Sequence, residues 1–171
     1  MDWNVIVQDE SIFVYDYVVP RKKWISADKR PIVIVTGSRR KTIVFGSLSL
    51  EGKKQLFKQY DKFNSDTFID YLKQIRQRFG KCILFVDRAT PHCSKTTRNF
   101  LAENKDVIRL EYFPVGSPEF NAVEECWRQG KYNILSCYYN TFDSLKKLTS
   151  SYYRTRKFNL NIIQYLNRII E

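Results

Sequence analysis

The chain has 171 residues, 43% of them hydrophobic and 15% aromatic, and a formal net charge of +11. That length accommodates one well-buried domain. No apolar run approaches the roughly 20 residues that span a bilayer, which excludes a membrane partner. The charge is uneven: residues 1–17 are acidic, whereas residues 18–54 hold ten basic and two acidic side chains, so the natural partner is a polyanion. Met1-Asp2-Trp3-Asn4 lacks the basic and apolar regions of a signal peptide, which points to the cytoplasm. Cys82, Cys93, Cys126 and Cys137 are then expected as reduced thiols, and without a C-x-x-C pair they do not suggest a zinc site.

Val5-Ile6-Val7, followed by Gln8-Asp9-Glu10, reads as a short buried strand whose end presents carboxylates. Residues 11–19 and 32–35 are also rich in β-branched and aromatic types, and Arg39-Arg40-Lys41 separates them from a further strand over 42–48. Glu51-Gly52 then turns the chain toward residues 55–60, which predicts a hairpin and makes the first half an antiparallel meander. From Ser65, a good N-cap, Phe68, Leu72, Ile75 and Phe79 recur at helical spacing until Gly80. Residues 82–86 form the most apolar run, a central strand ending at Asp87. Ser94 caps a second helix to about Asn104, residues 107–113 read as a strand, and Asn121 begins a third helix containing Glu124 and Trp127. C-terminal helices are expected over about 141–171, with an apolar stripe at Ile162, Tyr165, Leu166, Ile169 and Ile170. The alternation of strand and helix in the second half implies parallel pairing. Together these elements give one α/β domain over residues 1–171, a mixed five-stranded sheet flanked by helices in RNase H-like order.

In such a sheet the first and fourth strands are neighbours, so the acids closing them converge, and a helix passing those ends can add a third. These are Asp9, Asp87 and Glu124. Hard carboxylate oxygens suit Mg²⁺ or Mn²⁺, and three acids can hold two ions, one activating a nucleophile and the other stabilising a leaving 3′ oxygen.

Three stretches carry a resemblance: Val7-Gln8-Asp9-Glu10-Ser11, the run from Leu84 through Asp87-Arg88 to His92, and the run from Tyr112 through Ser117-Pro118 and Asn121 to Trp127. Over residues 4–135 they resemble the three blocks of DDE transposases of the mariner superfamily, in its prokaryotic insertion-sequence-630 branch. The resemblance implies an RNase H-like catalytic domain in which Asp9, Asp87 and Glu124 are the catalytic and metal-binding triad. It further implies metal-dependent DNA cleavage and strand transfer during transposition, on nucleoid DNA, as a homodimer or beside an intact transposase subunit. Two positions depart from the family pattern: Arg88 stands where Asn is usual and Ala122 where Pro is usual. Met1 lies eight positions before Asp9, so a catalytic domain without an N-terminal helix-turn-helix region is expected. The rival readings are a stand-alone RNase H-like nuclease and a decayed remnant that only binds DNA or dimerises, the latter suggested by Arg88.

Several residues keep two local readings. Asp9 and Glu10 also suit an exposed turn, and Asn121-x-x-Glu124 is also a capping box. Glu125 is either a substitute third acid or a surface residue. His92, the only histidine, either orients substrate or a metal-bound water, or packs at a helix start. Trp127 reads as a core anchor, whereas Trp24, within residues 15–31, suits a dimer or DNA contact. The basic runs Arg21-Lys22-Lys23, Arg39-Arg40-Lys41 and Arg154, Arg156 and Lys157 are either phosphate contacts or solvated faces.

Overall fold

The first strand is longer than its opening apolar run. In the computed structural model, which describes residues 3–16, 36–114 and 120–163, β1 spans Asn4–Val14. It pairs antiparallel with β2 (Lys41–Ser49) from Ile6 to Val14. Asp9 and Glu10 therefore sit inside a strand and not at its end or in a turn. The Gln8-Asp9-Glu10 sequence looks like a terminus only because its polar side chains find tertiary partners that local sequence does not show. Beyond the strand, Asp16 has a positive φ of 68° and accepts hydrogen bonds from the Thr36 and Ser38 amides, so the chain leaves and returns at one point. Residues 17–35, with Arg21, Lys22, Lys23 and Trp24, lie outside the described residues.

The expected hairpin joins β2 to β3 (Gln55–Tyr60), with Gly52 at a φ of 70° in its turn, a conformation that favours glycine. α1 (Ser65–Phe79) follows, and its cap is Asn64, one residue before the expected Ser65. Asn64 Oδ1 accepts from the Thr67 amide at 2.9 Å while Thr67 Oγ1 accepts from the Asn64 amide at 3.1 Å, a reciprocal box that Ser65 cannot make. Ser65 instead bonds Ser94 Oγ at 2.8 Å, joining the starts of two helices. β4 (Cys82–Val86) is followed by an unforeseen single turn, α2 (Thr90–Cys93), and by α3 (Lys95–Glu103), which Ser94 caps as expected. β5 (Ile108–Tyr112), α4 (Val123–Ile134) and α5 (Phe142–Thr155) complete the order, with Thr141 capping α5. Of the C-terminal stripe, Ile162 is buried; Tyr165, Leu166, Ile169 and Ile170 lie outside the described residues.

The sheet order is β3-β2-β1-β4-β5, with β1 parallel to β4 and β4 parallel to β5. Strand alternation divides the interior into two layers. Val7, Phe13, Val44 and Leu48 pack against α4 and α5, whereas Ile6, Ile43, Phe45, Leu84 and Val86 pack against α1. All four cysteines are free thiols, and burial raises that of Cys82 to about 12. Among the described residues no helix is long and apolar enough to cross a membrane.

Gly46 lies opposite Asp9 on β2, and a Cβ there would stand 2.6 Å from both Phe57 Cε1 and Trp127 Cη2. Gly46→Ala is expected to push these packed rings apart and to cost about 1–3 kcal/mol, the range for overpacking. Urea denaturation of the variant beside the wild type measures this.

Candidate active site

The α4 layer receives Asp9. Odd-numbered residues of β1 face this layer, and the 2% exposed Trp127 of α4 donates its indole N–H to Asp9 Oδ2 at 2.7 Å. The tryptophan is thus the expected core anchor and also a hydrogen-bond partner of the first acid, a role visible only once α4 lies across β1. Burial and the neighbouring Glu124 carboxylate push the Asp9 carboxyl up to about 7 against the Trp127 bond, which opposes the shift. Glu124 is exposed in the first turn of α4, where the helix dipole favours a negative side chain. Asn121 stands one position before the N-cap of α4, Ala122, and its side chain does not bond Glu124: its Oδ1 accepts from the Val123 amide at 3.2 Å and its amide group donates to the Gln8 carbonyl at 3.1 Å. No reciprocal Glu124 bond completes a capping box among the described residues, so the carboxylate is left beside Asp9.

The α1 layer receives Glu10, and with it the second acid. His92, only 1% exposed, packs on Phe68 with ring centroids 4.3 Å apart. Its Nε2 lies 3.1 Å from Glu10 Oε1, and its Nδ1 lies 2.8 Å from Asp87 Oδ1 and 3.1 Å from the Asp87 carbonyl. Oxygens face both ring nitrogens, so both carry protons and the ring is an imidazolium. Burial alone pushes its pKa down, but the bonds to Asp87 and Glu10 outweigh that and hold it at about 10. Asp87 is correspondingly lowered, chiefly by the His92 bond, and its Oδ1 also accepts from the Ala89 amide at 2.9 Å. Gln8 Nε2 donates to Glu10 Oε1 at 2.7 Å. Glu10, which in sequence reads as a carboxylate at a strand end or in an exposed turn, is therefore a buried counterion holding His92 against Asp87. His92, enclosed between the two carboxylates, holds Asp87 in position.

The parallel ladder ends at Val7 and Phe85, two positions before Asp9 and Asp87 in their respective strands' directions. The structure couples Asp9 to Glu124 and Asp87 to His92. Among the described residues, no three His, Cys, Asp or Glu side chains are close enough to hold a metal. Glu125 accepts both Arg128 N–H groups at 2.6 Å and Gln129 Nε2 at 2.9 Å, which places it in a surface network. The Arg88 guanidinium stacks 4.9 Å from the centre of the Tyr112 ring on β5. Arg39, Arg40 and Lys41 are exposed, with Arg40 stacked on Phe142 at 4.3 Å, and Arg154, Arg156 and Lys157 are exposed at the end of α5.

This mixed sheet, with one acid inside β1, a second directly after the parallel β4 and a third in the first turn of α4, has the RNase H-like order. The chain belongs to the DDE superfamily endonucleases, whose sequence pattern matches residues 4–148. Its fold is similar to that in a Mos1 transposase paired-end complex with the left transposon end, with a TM-score of 0.68, 11% identity, and 96% of this chain and 51% of that chain covered. A mariner Mos1 paired-end complex with Mg matches at a TM-score of 0.69 and 13% identity over 96% and 53% of the two chains. The Mos1 catalytic domain alone matches at 0.62 and 10% identity over 96% and 76%. At such identities the likeness is one of fold, and this chain spans about half the length of the Mos1 chains in those complexes. No curated protein matches it in sequence.

Replacing His92 by Leu leaves the buried Glu10 carboxylate without its cation, and a loss of about 3–5 kcal/mol is expected; Glu10→Leu combined with His92→Leu recovers part of it. Chemical denaturation of both variants tests this. Asp9 has a folded pKa above its unfolded one, so its favourable contribution is complete below about pH 4 and is lost as pH rises through about 7. Asp9→Asn is therefore expected to stabilise the metal-free protein by about 1–3 kcal/mol at pH 8 and not at pH 4, as read from thermal melts.

Proposed function

We propose that this chain is the catalytic domain of a mariner-type transposase of the insertion-sequence-630 branch. It would cut DNA at the ends of a mobile element and join the freed 3′-hydroxyl to target DNA, with Asp9, Asp87 and Glu124 as its catalytic acids. The observation that carries this reading is the way two neighbouring strands hold their acids. Trp127 fixes Asp9 beside Glu124 on one layer, and His92 fixes Asp87 at the end of the adjoining strand. Family membership supplies the endonuclease chemistry.

The donor set fits a divalent cation such as Mg²⁺ or Mn²⁺, and two ions match the three acids. All three candidate ligands are hard carboxylates, and the repulsion between Asp9 and Glu124 is the kind of unmet negative charge that a cation neutralises. When bound, such ions activate the attacking oxygen and stabilise charge on the departing one. The chain's own residues do the positioning: Trp127 orients one Asp9 oxygen, and the imidazolium of His92 restricts Asp87 Oδ1. Arg88, stacked on Tyr112, adds a positive charge beside the second acid that suits a phosphate of the DNA. The working partners are nucleoid DNA in the cytoplasm and a second transposase subunit.

Calorimetric titration of Mn²⁺ into the wild type, Asp9→Asn, Asp87→Asn and Glu124→Gln tests the ligand set, with supercoiled plasmid as a sequence-independent cleavage substrate. Uptake by the wild type, weakened at least tenfold in Asp87→Asn, together with metal-dependent nicking by the wild type alone, is expected. Equal uptake by all four proteins would refute the assignment. Nicking without joined products would favour the nuclease reading.

A further inference from the structure

A second feature lies at the edge of the sheet away from β4 and β5. β3, the end of α5 and the segment at residues 156–159 enclose a groove of about 690 Å³. Its walls carry Lys58, Arg78, Arg154, Arg156 and Lys157, and no Asp or Glu lines it. Among the described residues none of these five cations has a carboxylate within 4 Å; Lys53, at the rim, is paired with Glu51 at 2.7 Å. Thr149 also lines the groove, and its fully buried hydroxyl oxygen has no hydrogen-bond partner among the described residues.

The groove is fixed by the fold. Gln55 on β3 donates to the Arg156 carbonyl and accepts from the Phe158 amide at 3.0 Å, which holds the 156–158 segment across the edge strand. Arg78 Nε donates to the Gln55 carbonyl at 3.3 Å, and Arg156 donates to Gln129 Oε1 at 3.4 Å. Phe57 and Tyr153 form its apolar lining, with their rings stacked 5.1 Å apart. Cations from β3, α1, α5 and the following segment thus converge without internal neutralisation, an arrangement that one small anion satisfies poorly and a chain of phosphates satisfies well. Two of its side-chain amides are already engaged within the protein, Gln55 by the Arg156 carbonyl and the Phe158 amide and Gln59 by Thr42 Oγ1 at 2.8 Å, so they are not presented to base edges.

We infer that this groove binds the phosphodiester backbone of duplex DNA, apart from the acid site and without reading sequence. The inference rests on the proposed function only in taking DNA as the polyanion. Anisotropy of a short fluorescent duplex of arbitrary sequence, titrated with salt in EDTA, tests it. Lys58→Ala/Arg154→Ala/Lys157→Ala should weaken binding equally for unrelated sequences and reduce the slope of log affinity against log salt by about 3, near 0.9 for each phosphate no longer neutralised. Lys73→Ala/Lys81→Ala/Lys105→Ala removes the same charge from exposed positions elsewhere and should leave the slope near that of the wild type. Equal losses in both triple variants, no loss in the first, or no binding by the wild type at low salt would overturn the inference. Should the first triple variant unfold, Arg154→Ala and Lys157→Ala singly should each reduce the slope by about 1, and unchanged slopes would likewise overturn it. Because the titration is run in EDTA, failure of the acid-site assignment would show only in Mn²⁺ uptake and leave this result unaffected.

Discussion

Neighbouring side chains of a β-strand leave it on opposite faces, and in β1 this alternation assigns two adjacent acids to different layers. Asp9 meets Trp127 in the α4 layer, while Glu10 meets His92 beneath α1. A slip of one residue would send each carboxylate to the wrong interior, together with every apolar residue of the strand. Pairing with β2 from Ile6 to Val14 holds the register, and Gly46, opposite Asp9, leaves room for the indole that reaches it. The position of the first acid is therefore set by the same pairing that builds the core.

The two layers treat their negative charge differently. Glu10 is almost fully enclosed, but a buried imidazolium and the Gln8 amide satisfy it, so its charge tightens the joint between β1 and the turn after β4. Asp9 has only neutral donors, the Trp127 indole and the Glu10 backbone amide, and stands close to another acid, which makes it the less compensated of the two. The fold neutralises the acid that positions and leaves unneutralised the acid assigned to chemistry. Strain of this kind concentrates where a ligand can relieve it. Asp87 lies between these extremes, with one oxygen engaged by His92 and its side chain still 60% exposed.

Features governed by local chemistry were legible in the sequence. Gly80 ends α1, Ser94 caps α3, and the Glu51-Gly52 turn reverses the chain into β3, because each depends on residues adjacent to it. The length of β1 was not legible, since Gln8-Asp9-Glu10 resembles a strand end until Trp127, Asn121 and His92 arrive from more than 80 residues away to satisfy it. The same separation hid the roles of Glu10 and Gly46. The single histidine was a usable signal, because a lone imidazole five residues after an acid is within reach of it, but its second partner required the folded sheet. Asn64 was a stronger cap than Ser65 because Thr67 completes the reciprocal bond, a distinction of one residue that hydrophobic periodicity does not resolve.

The basic groove and the acid site share one aromatic block. Tyr153 and Phe57 line the groove, and their ring centroids lie 5.4 and 5.7 Å from that of Trp127, whose indole nitrogen holds Asp9. Gly130 allows this packing, since any side chain there would collide with the Tyr153 hydroxyl. Interiors packed this closely transmit displacement instead of absorbing it. A DNA backbone seated in the groove would consequently be registered against Asp9 through three contacting rings and not through a loop, which gives the domain a rigid means of setting distance between anchored DNA and its acids.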